Sequence, residues 1–379
     1  MKSDSDFRSA YAEGKDWAGV AKSLMMQLSG PALAHRLGVL YVTPELGRDL
    51  GSILAFLRET TRIPHWTGGV GFGVLGLSAD GVAREARAKP AASVLTMALP
   101  ASAFRLFNFQ GHELSKLKST LSKWCKQDQM PLTGLIHADP ANAQIPLLVA
   151  GFAAASEGYL VGGVTYAPEK RDANFKPHLA DKTVGGGLSG LLLAPGVPLA
   201  VGMSQGVVPL GDWHKITDGE GGDILRLDGR SALEVLKEEA GDEQNLLGFI
   251  HPAVPDAGLD TGGFVVHNLS GIDAVRGKLT VSFQAEPGLR VRFVRRDTKT
   301  AEQDLTRMIE DVRRRLVTPP RGALLVSCIA RGAALFGALH REMEMAASLL
   351  GCPMAGFLAG GEIMRNRVQA HSAVLLAFG

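Results

Sequence analysis

The chain has 379 residues, 46% hydrophobic, with 46 glycines and few aromatics. That is too long for one ordinary core and predicts two domains. A net charge of +2, from 40 basic and 38 acidic residues, excludes the strong single-sign field that captures nucleic acid. The three cysteines, Cys125, Cys328 and Cys352, are too sparse for a disulfide framework.

The polar start, Met1 to Asp6, has no apolar segment behind it, so no conventional signal peptide is expected. The best candidate membrane run, Leu191 to Met203, is broken by Pro195, Gly196 and Pro198. A soluble, cytoplasmic protein with no membrane partner is the expectation. Residues 1–30 read as a polar, helical extension.

One pattern then appears three times: apolar strand, helix, Gly-containing strand, apolar strand. The first copy runs from Gly38–Pro44 through Gly68–Gly73 to Ser93–Leu99. The second runs from Gly134–Pro140 through Val161–Thr165 to Leu188–Leu193. The third runs from Gly322–Cys328 through Ala355–Leu358 to His371–Leu376. Continuous apolar strands alternating with helices predict an α/β fold, its β-sheets covered by helices.

Thr43 and Asp139, each followed by proline, are suited to cap helices. The stretches 168–187 and 251–263 read as loops. Ser231 to Glu234 has the spacing of a capping box, and Gly241 closes that helix. Leu279, Val281 and Phe283, then Leu289, Val291 and Phe293, alternate with polar residues around Glu286-Pro287-Gly288, which predicts a hairpin. Leu305, Met308, Ile309, Val312 and Leu316 form one helical stripe; Leu335, Leu339, Met343, Ala346 and Leu350 form another. The predicted division is 31–226 and 227–379, with the boundary near Arg226 to Arg230.

The last third concentrates the candidate chemistry at junctions of strands with helices or turns. Arg296 and Asp297 begin one helix, Asp297 as its N-cap and Arg296 as a pocket cation or an internal partner for Glu362. Cys328 ends a strand before a helix, where unpaired N–H groups and Arg331 would lower a thiol pKa. A small buried core residue is the favoured alternative, and no paired base is assignable. Arg331 and Gly332 suit a carboxylate or phosphate, or else an internal salt bridge. Glu362, after Gly360-Gly361, suits an ammonium group or an arginine partner. The ten histidines show no zinc spacing, and no c-type haem attachment motif occurs. No metal, no cofactor and no enzymatic nucleophile motif is implied by these residues.

Arg296–Leu305, Cys328–Gly332 and Gly356–Ile363, with Asp139-Pro140, Val161–Gly163, Gly206–Gly211 and Leu227–Leu233, together resemble the FIST family. The resemblance runs from about Leu37 to Gly379 and is closest to stand-alone bacterial members. It implies an N-terminal and a C-terminal FIST domain and a sensory role in signal transduction. Amino acids or their derivatives are the proposed ligands. Nitric-oxide-sensing members bind haem, and eukaryotic relatives suggest a scaffold. The ligand-binding residues expected on this basis are Arg296, Asp297, Cys328, Arg331, Gly332, Gly361 and Glu362, for an amino acid or small carboxylate. The first Gly-rich strand departs from the family pattern: it reads Gly69-Val70-Gly71-Phe72-Gly73 without the usual Cys-Thr/Ser. With no kinase, cyclase or F-box region in the chain, output is expected to pass through a separate signalling protein.

Overall fold

The computed structural model describes residues 6–29, 35–109, 119, 133–170, 175–255 and 264–379. Cys125 and the second half of the expected 251–263 loop lie outside them. The chain divides into two compact units. The first comprises residues 1–204, 305–368 and 372–379, and the second residues 205–304 and 369–371. The boundary expected near 226 divides the chain along its sequence; the compact units divide it differently, because strands from both ends of the chain share sheets.

In the first unit the strands fall into three sets. The first is β1 (Phe7–Glu13), β2 (Leu37–Val42), β3 (His65–Val70), β4 (Gly73–Leu77), β5 (Ala83–Ala86) and β6 (Ala91–Met97). The second is β7 (Phe104–Phe109), β8 (Thr133–Ala138), β9 (Tyr159–Val164), β10 (His178–Ala180), β11 (Thr183–Val184) and β12 (Leu188–Leu193). The third is β13 (Leu199–Ser204), then, after the nine strands of the second unit, β23 (Gly322–Cys328), β24 (Met354–Ala359), β25 (Glu362–Met364), β26 (Arg367–Gln369) and β27 (Ala373–Phe378). Helices α1 (Trp17–Leu28), α2 (Leu50–Thr61) and α3 (Ile145–Ser156) belong to the first two sets. Helices α6 (Thr298–Arg315), α7 (Ala333–Phe336) and α8 (Arg341–Leu350) follow the second unit's α4 (Ala232–Ala240) and α5 (Leu246–Phe249).

Each set builds the same sheet. A central strand pairs parallel with the Gly-containing strand and antiparallel with the last strand: β6-β2-β3, β12-β8-β9 and β27-β23-β24. The first strand of each set (β1, β7 or β13) completes the outer edge. The other edge is borrowed. The hairpin β4-β5 joins β24, β10-β11 joins β3, and β25-β26 joins β9. The three repeats therefore exchange hairpins in a closed cycle. At each crossover a backbone N–H bonds the Gly-strand of the next repeat: Phe72 to Leu358 at 2.8 Å, Tyr166 to Val70 at 2.8 Å, and Gly360 to Val164 at 2.9 Å.

The glycines are required by this close pairing. Gly68 and Gly162 have φ of 130° and 145°. A Cβ on either would run into the carbonyl oxygen of Leu40 or Ile136, the partner residue on the central strand. One apolar core draws on all three sheets, from Tyr41 and Leu95 through Leu135 and Leu191 to Phe357 and Leu376. Successive residues alternate faces, so Leu40 and Val94 meet α1 and α2, and Ile136 and Leu188 meet α3.

The segment expected to be an N-terminal extension is part of this architecture. β1 pairs with β6 over seven residues, burying Phe7, Ala10, Tyr11 and Ala12. Asp16 caps α1 by accepting from the Gly19 N–H at 2.8 Å.

The second unit is a nine-stranded sheet, in order β19-β18-β22-β15-β16-β21-β20, with β14 on β22 and β17 on β16. Its strands are β14 (Val207–Pro209), β15 (His214–Glu220), β16 (Asp223–Leu227), β17 (Arg230–Ser231), β18 (Ile250–Pro255), β19 (Phe264–Val266), β20 (Leu269–Asp273), β21 (Lys278–Val281) and β22 (Arg290–Arg296). Leu233, Val235 and Leu236 of α4 pack on Ile216, Leu279 and Phe293.

Several local expectations change. β21 and β22 alternate as expected, yet β21 pairs with β16 and β20 while β22 pairs with β15, β18 and β14. The Glu286–Gly288 turn forms without making them a hairpin, since the register of each strand is set by other partners. Ser231 donates to the Gly277 carbonyl and makes no capping box. The stripe after Gly332 is split: Gly337 and His340 take positive φ between α7 and α8, leaving Leu339 exposed. The expected loops contain β10, β11 and β18.

Candidate functional site

Three equivalent strand ends in the first unit carry different side chains. The N–H groups of Thr43, Asp139 and Cys328 each donate at 3.0 Å to the chain entering the last strand of the repeat, at Ala91, Gly187 and Ser372. In the first repeat the Thr43 hydroxyl accepts from the Ala91 N–H at 3.1 Å and donates to the Lys89 carbonyl at 2.8 Å. In the second, Asp139 accepts from Gly186 at 2.6 Å and Ala141 at 3.0 Å. Neither side chain caps an α-helix: Thr43 stands before the 3-10 helix opened by Pro44 without a side-chain cap bond, and α3 starts only at Ile145.

Cys328 cannot accept in this way, because a thiol is a weak acceptor. Glu362, brought in by β25, takes over. Its Oε2 accepts from the Ser372 N–H at 3.0 Å and hydroxyl at 2.8 Å. The Cys328 thiol lies within hydrogen-bonding reach of the same carboxylate. Glu362 is fully buried and its Oε1 accepts nothing. Burial pushes its carboxyl up to about 8, against the opposing pull of Ser372, Arg331 and Cys328.

Arg331 is also fully buried. Its guanidinium meets Glu342 of α8 through Nε at 2.9 Å and Nη2 at 2.8 Å, and reaches the Ser204 carbonyl and hydroxyl at 3.4 Å. Ser327 donates to the other Glu342 oxygen at 2.6 Å. Of the two roles expected for Arg331, the internal salt bridge is occupied. The pair Arg331–Glu342 is neutral, so Glu362 adds one carboxylate without a matching cation.

Gly332 follows with φ of 59°, packed under the Arg87–Glu85 ion pair, where a Cβ would strike the Arg87 guanidinium. Arg87 donates from Nη1 to the Ile329 carbonyl at 2.9 Å, and its buried Nη2 has no partner. The Gly361 carbonyl accepts from Val164 at 2.8 Å, beside the exposed Gly360.

The structure thus gathers Cys328, Arg331, Gly332, Gly361 and Glu362 within the first unit. Arg296 and Asp297 belong to the second. There Arg296 donates to the Gly248 carbonyl at 3.3 Å. Asp297 caps α6 by accepting from Thr300 at 2.7 Å, which holds its carboxyl below the usual range.

The FIST N domain profile matches residues 36–230, and the FIST C domain profile matches residues 232–365. The chain belongs to the FIST family. FIST domains are associated with signal transduction. A Mycobacterium tuberculosis protein described as uncharacterized is 32% identical over 254 residues, covering 63% of this chain and 64% of that protein. An uncharacterized Mycobacterium bovis protein is 32% identical over 241 residues, covering 58% of this chain and 60% of its own length. This FIST chain therefore spans just under two thirds of the relatives it matches.

Sequence reasoning missed Glu342, Arg87, Ser204 and Ser372. Glu342 lies in Arg341-Glu342-Met343-Glu344, where nothing local separates a buried carboxylate from an exposed one. A haem, as bound by some FIST members, needs an apolar slot and an axial ligand. Neither the groove lined by Arg307 and Val317 nor the cavity lined by Leu77, Ala83 and Cys352 has a histidine in its lining. His137 is buried 3.0 Å from the Tyr41 hydroxyl, and burial lowers it to about 3. Among the described residues no three His, Cys, Asp or Glu side chains converge as a metal ion would require, and no helix is long and apolar enough to cross a membrane.

Proposed function

We propose that this FIST protein is a cytoplasmic sensor of a small ligand bearing an ammonium group, such as an amino acid or amine, and that it signals through a separate protein. Glu362 receives the ammonium group, with Cys328, Arg331, Gly332 and Gly361 forming the surrounding wall. The observation that carries this reading is the Oε1 of Glu362: fully buried, without a partner, in a cluster holding one more carboxylate than cation. A carboxylate in that position is either protonated or matched by a cation from outside. Arg331 is held by Glu342, so the positive end of a ligand is better supported than a carboxylate end.

Binding of an ammonium group requires ionised Glu362. Its carboxyl sits near 8, so affinity is expected to rise from pH 6 to pH 8.5 for ligands that stay protonated there. A thermal-shift screen of amino acids and small amines at pH 8 tests the reading. A ligand at a hundred times its dissociation constant stabilises the folded state by about 2.7 kcal/mol. The expected result is a hit that disappears in Glu362→Gln. A hit that survives in Glu362→Gln, or a screen with no amine hit, overturns it.

A further inference from the structure

We propose that an open groove at the C-terminal end of α6 is a docking surface for an acidic segment of a partner protein. The groove has a volume of about 640 Å³. Its walls include Arg307, Glu310, Arg313 and Arg314 from the helix, and Val317 and Pro319 from the chain that follows. The opposite face of the helix is committed to the core through Leu305, Met308, Ile309 and Val312.

The basic run is not a uniform solvated face. Arg315 turns back, donating to the Val201 carbonyl at 2.6 Å and meeting Asp311 at 2.9 Å. Arg313 and Arg314 stay outside, Arg314 with 75% of its side chain exposed and only a surface contact to Asp311 at 3.3 Å. The exposed guanidinium groups of Arg313 and Arg314 thus stand on the groove, with Glu310 in its wall and Asp311 beside Arg314. Cations at a helix C-terminus also complement its dipole. That explains their sign, but neither the groove nor the side chain of Val317, which is 95% exposed.

An apolar side chain beside a proline and the exposed Arg313 and Arg314 fits a segment mixing carboxylates with apolar residues. Guanidinium forks match carboxylates in paired hydrogen bonds. Arg307 and Arg314 are seven residues apart, about 10 Å along the helix. Carboxylates two residues apart on an extended segment share one face about 7 Å apart, a spacing that flexible arginine side chains can meet. A nucleic acid is the less suitable occupant: Glu310 faces the same groove, and the chain's net charge is only +2. The groove lies apart from the Glu362 cluster, so this proposal stands whether or not that cluster binds a ligand.

The test is fluorescence anisotropy with the full-length protein and a labelled twelve-residue probe peptide alternating Glu and Leu. Controls are the Gln/Leu version of the peptide and a labelled single-stranded DNA 12-mer. The expected result is binding of the acidic peptide that weakens at least tenfold in R313E/R314E and on raising salt from 50 to 500 mM. Both substitutions are on exposed side chains, and an unchanged far-UV spectrum would show that the variant folds. No binding of the acidic peptide at millimolar protein, equal binding of the Gln version or of the DNA, or an unchanged affinity in R313E/R314E would each overturn the proposal.

Discussion

The strand ends of the first two repeats and that of the third solve one problem in different ways. Each must satisfy backbone groups where a parallel strand gives way to a turn. Thr43 and Asp139 do this locally, with an oxygen on the residue itself. The third repeat places Cys328 there and imports Glu362 from the hairpin that crosses to the second repeat's sheet. It then packs Arg331 and Glu342 beside it. Three buried ionisable groups replace one threonine or one aspartate. A fold that needs only an acceptor is served by the simpler solution, so the costlier one marks the third repeat as the place where function is expected.

The largest effect should come from the feature the other repeats lack. Arg331→Met would leave Glu342 buried without its cation and is expected to cost about 3–5 kcal/mol. Urea unfolding at pH 8 measures it. Recovery of much of the loss in Arg331→Met/Glu342→Leu would show that the unpaired charge is the cause. A single-variant loss below about 1 kcal/mol would mean that the pair is not structural.

Next is Asp139→Ala. Two backbone N–H groups lose a charged acceptor, and about 2–3 kcal/mol is expected on the same assay. An effect as small as that of an exposed residue would break the equivalence drawn between Asp139 and Glu362.

The smallest is Thr43→Val, which keeps the shape and removes one neutral acceptor and donor. About 1 kcal/mol is expected. If it cost as much as Arg331→Met, the contrast between simple and charged strand ends would fail.

Much of this architecture is legible in the sequence. The three copies of strand, helix, Gly-strand and strand were readable because continuous apolar runs must be buried on both faces and glycine must stand where backbones crowd. Asp297 was readable as a cap because capping is a contact between residues three apart. The stripe of α6 was readable for the same local reason. The hairpin of β21 and β22 was not, since alternation fixes which face is buried but says nothing about which strand lies alongside. Nor was the split after Gly332 visible in the apolar spacing alone.

The candidate site divides along the same line. Cys328, Arg331, Gly332, Gly361 and Glu362 stood out by residue type at strand ends, and of these Cys328 and Arg331 lie close to Glu362. Their partners did not stand out. Glu342 is one carboxylate among several on a charged helix, and Ser204 lies more than a hundred residues before Arg331. Such pairings depend on the cyclic exchange of hairpins, which no local pattern encodes.

Composition and spacing over a few residues were enough for the repeated units, their buried strands and the glycines at close crossings, while the family came from a likeness of motifs along nearly the whole chain. That β4-β5, β10-β11 and β25-β26 leave their own sheets for a neighbour's is visible in the folded chain alone. That choice rests on long-range backbone pairing, and it brings Glu362 to Cys328 and leaves its second oxygen without a partner.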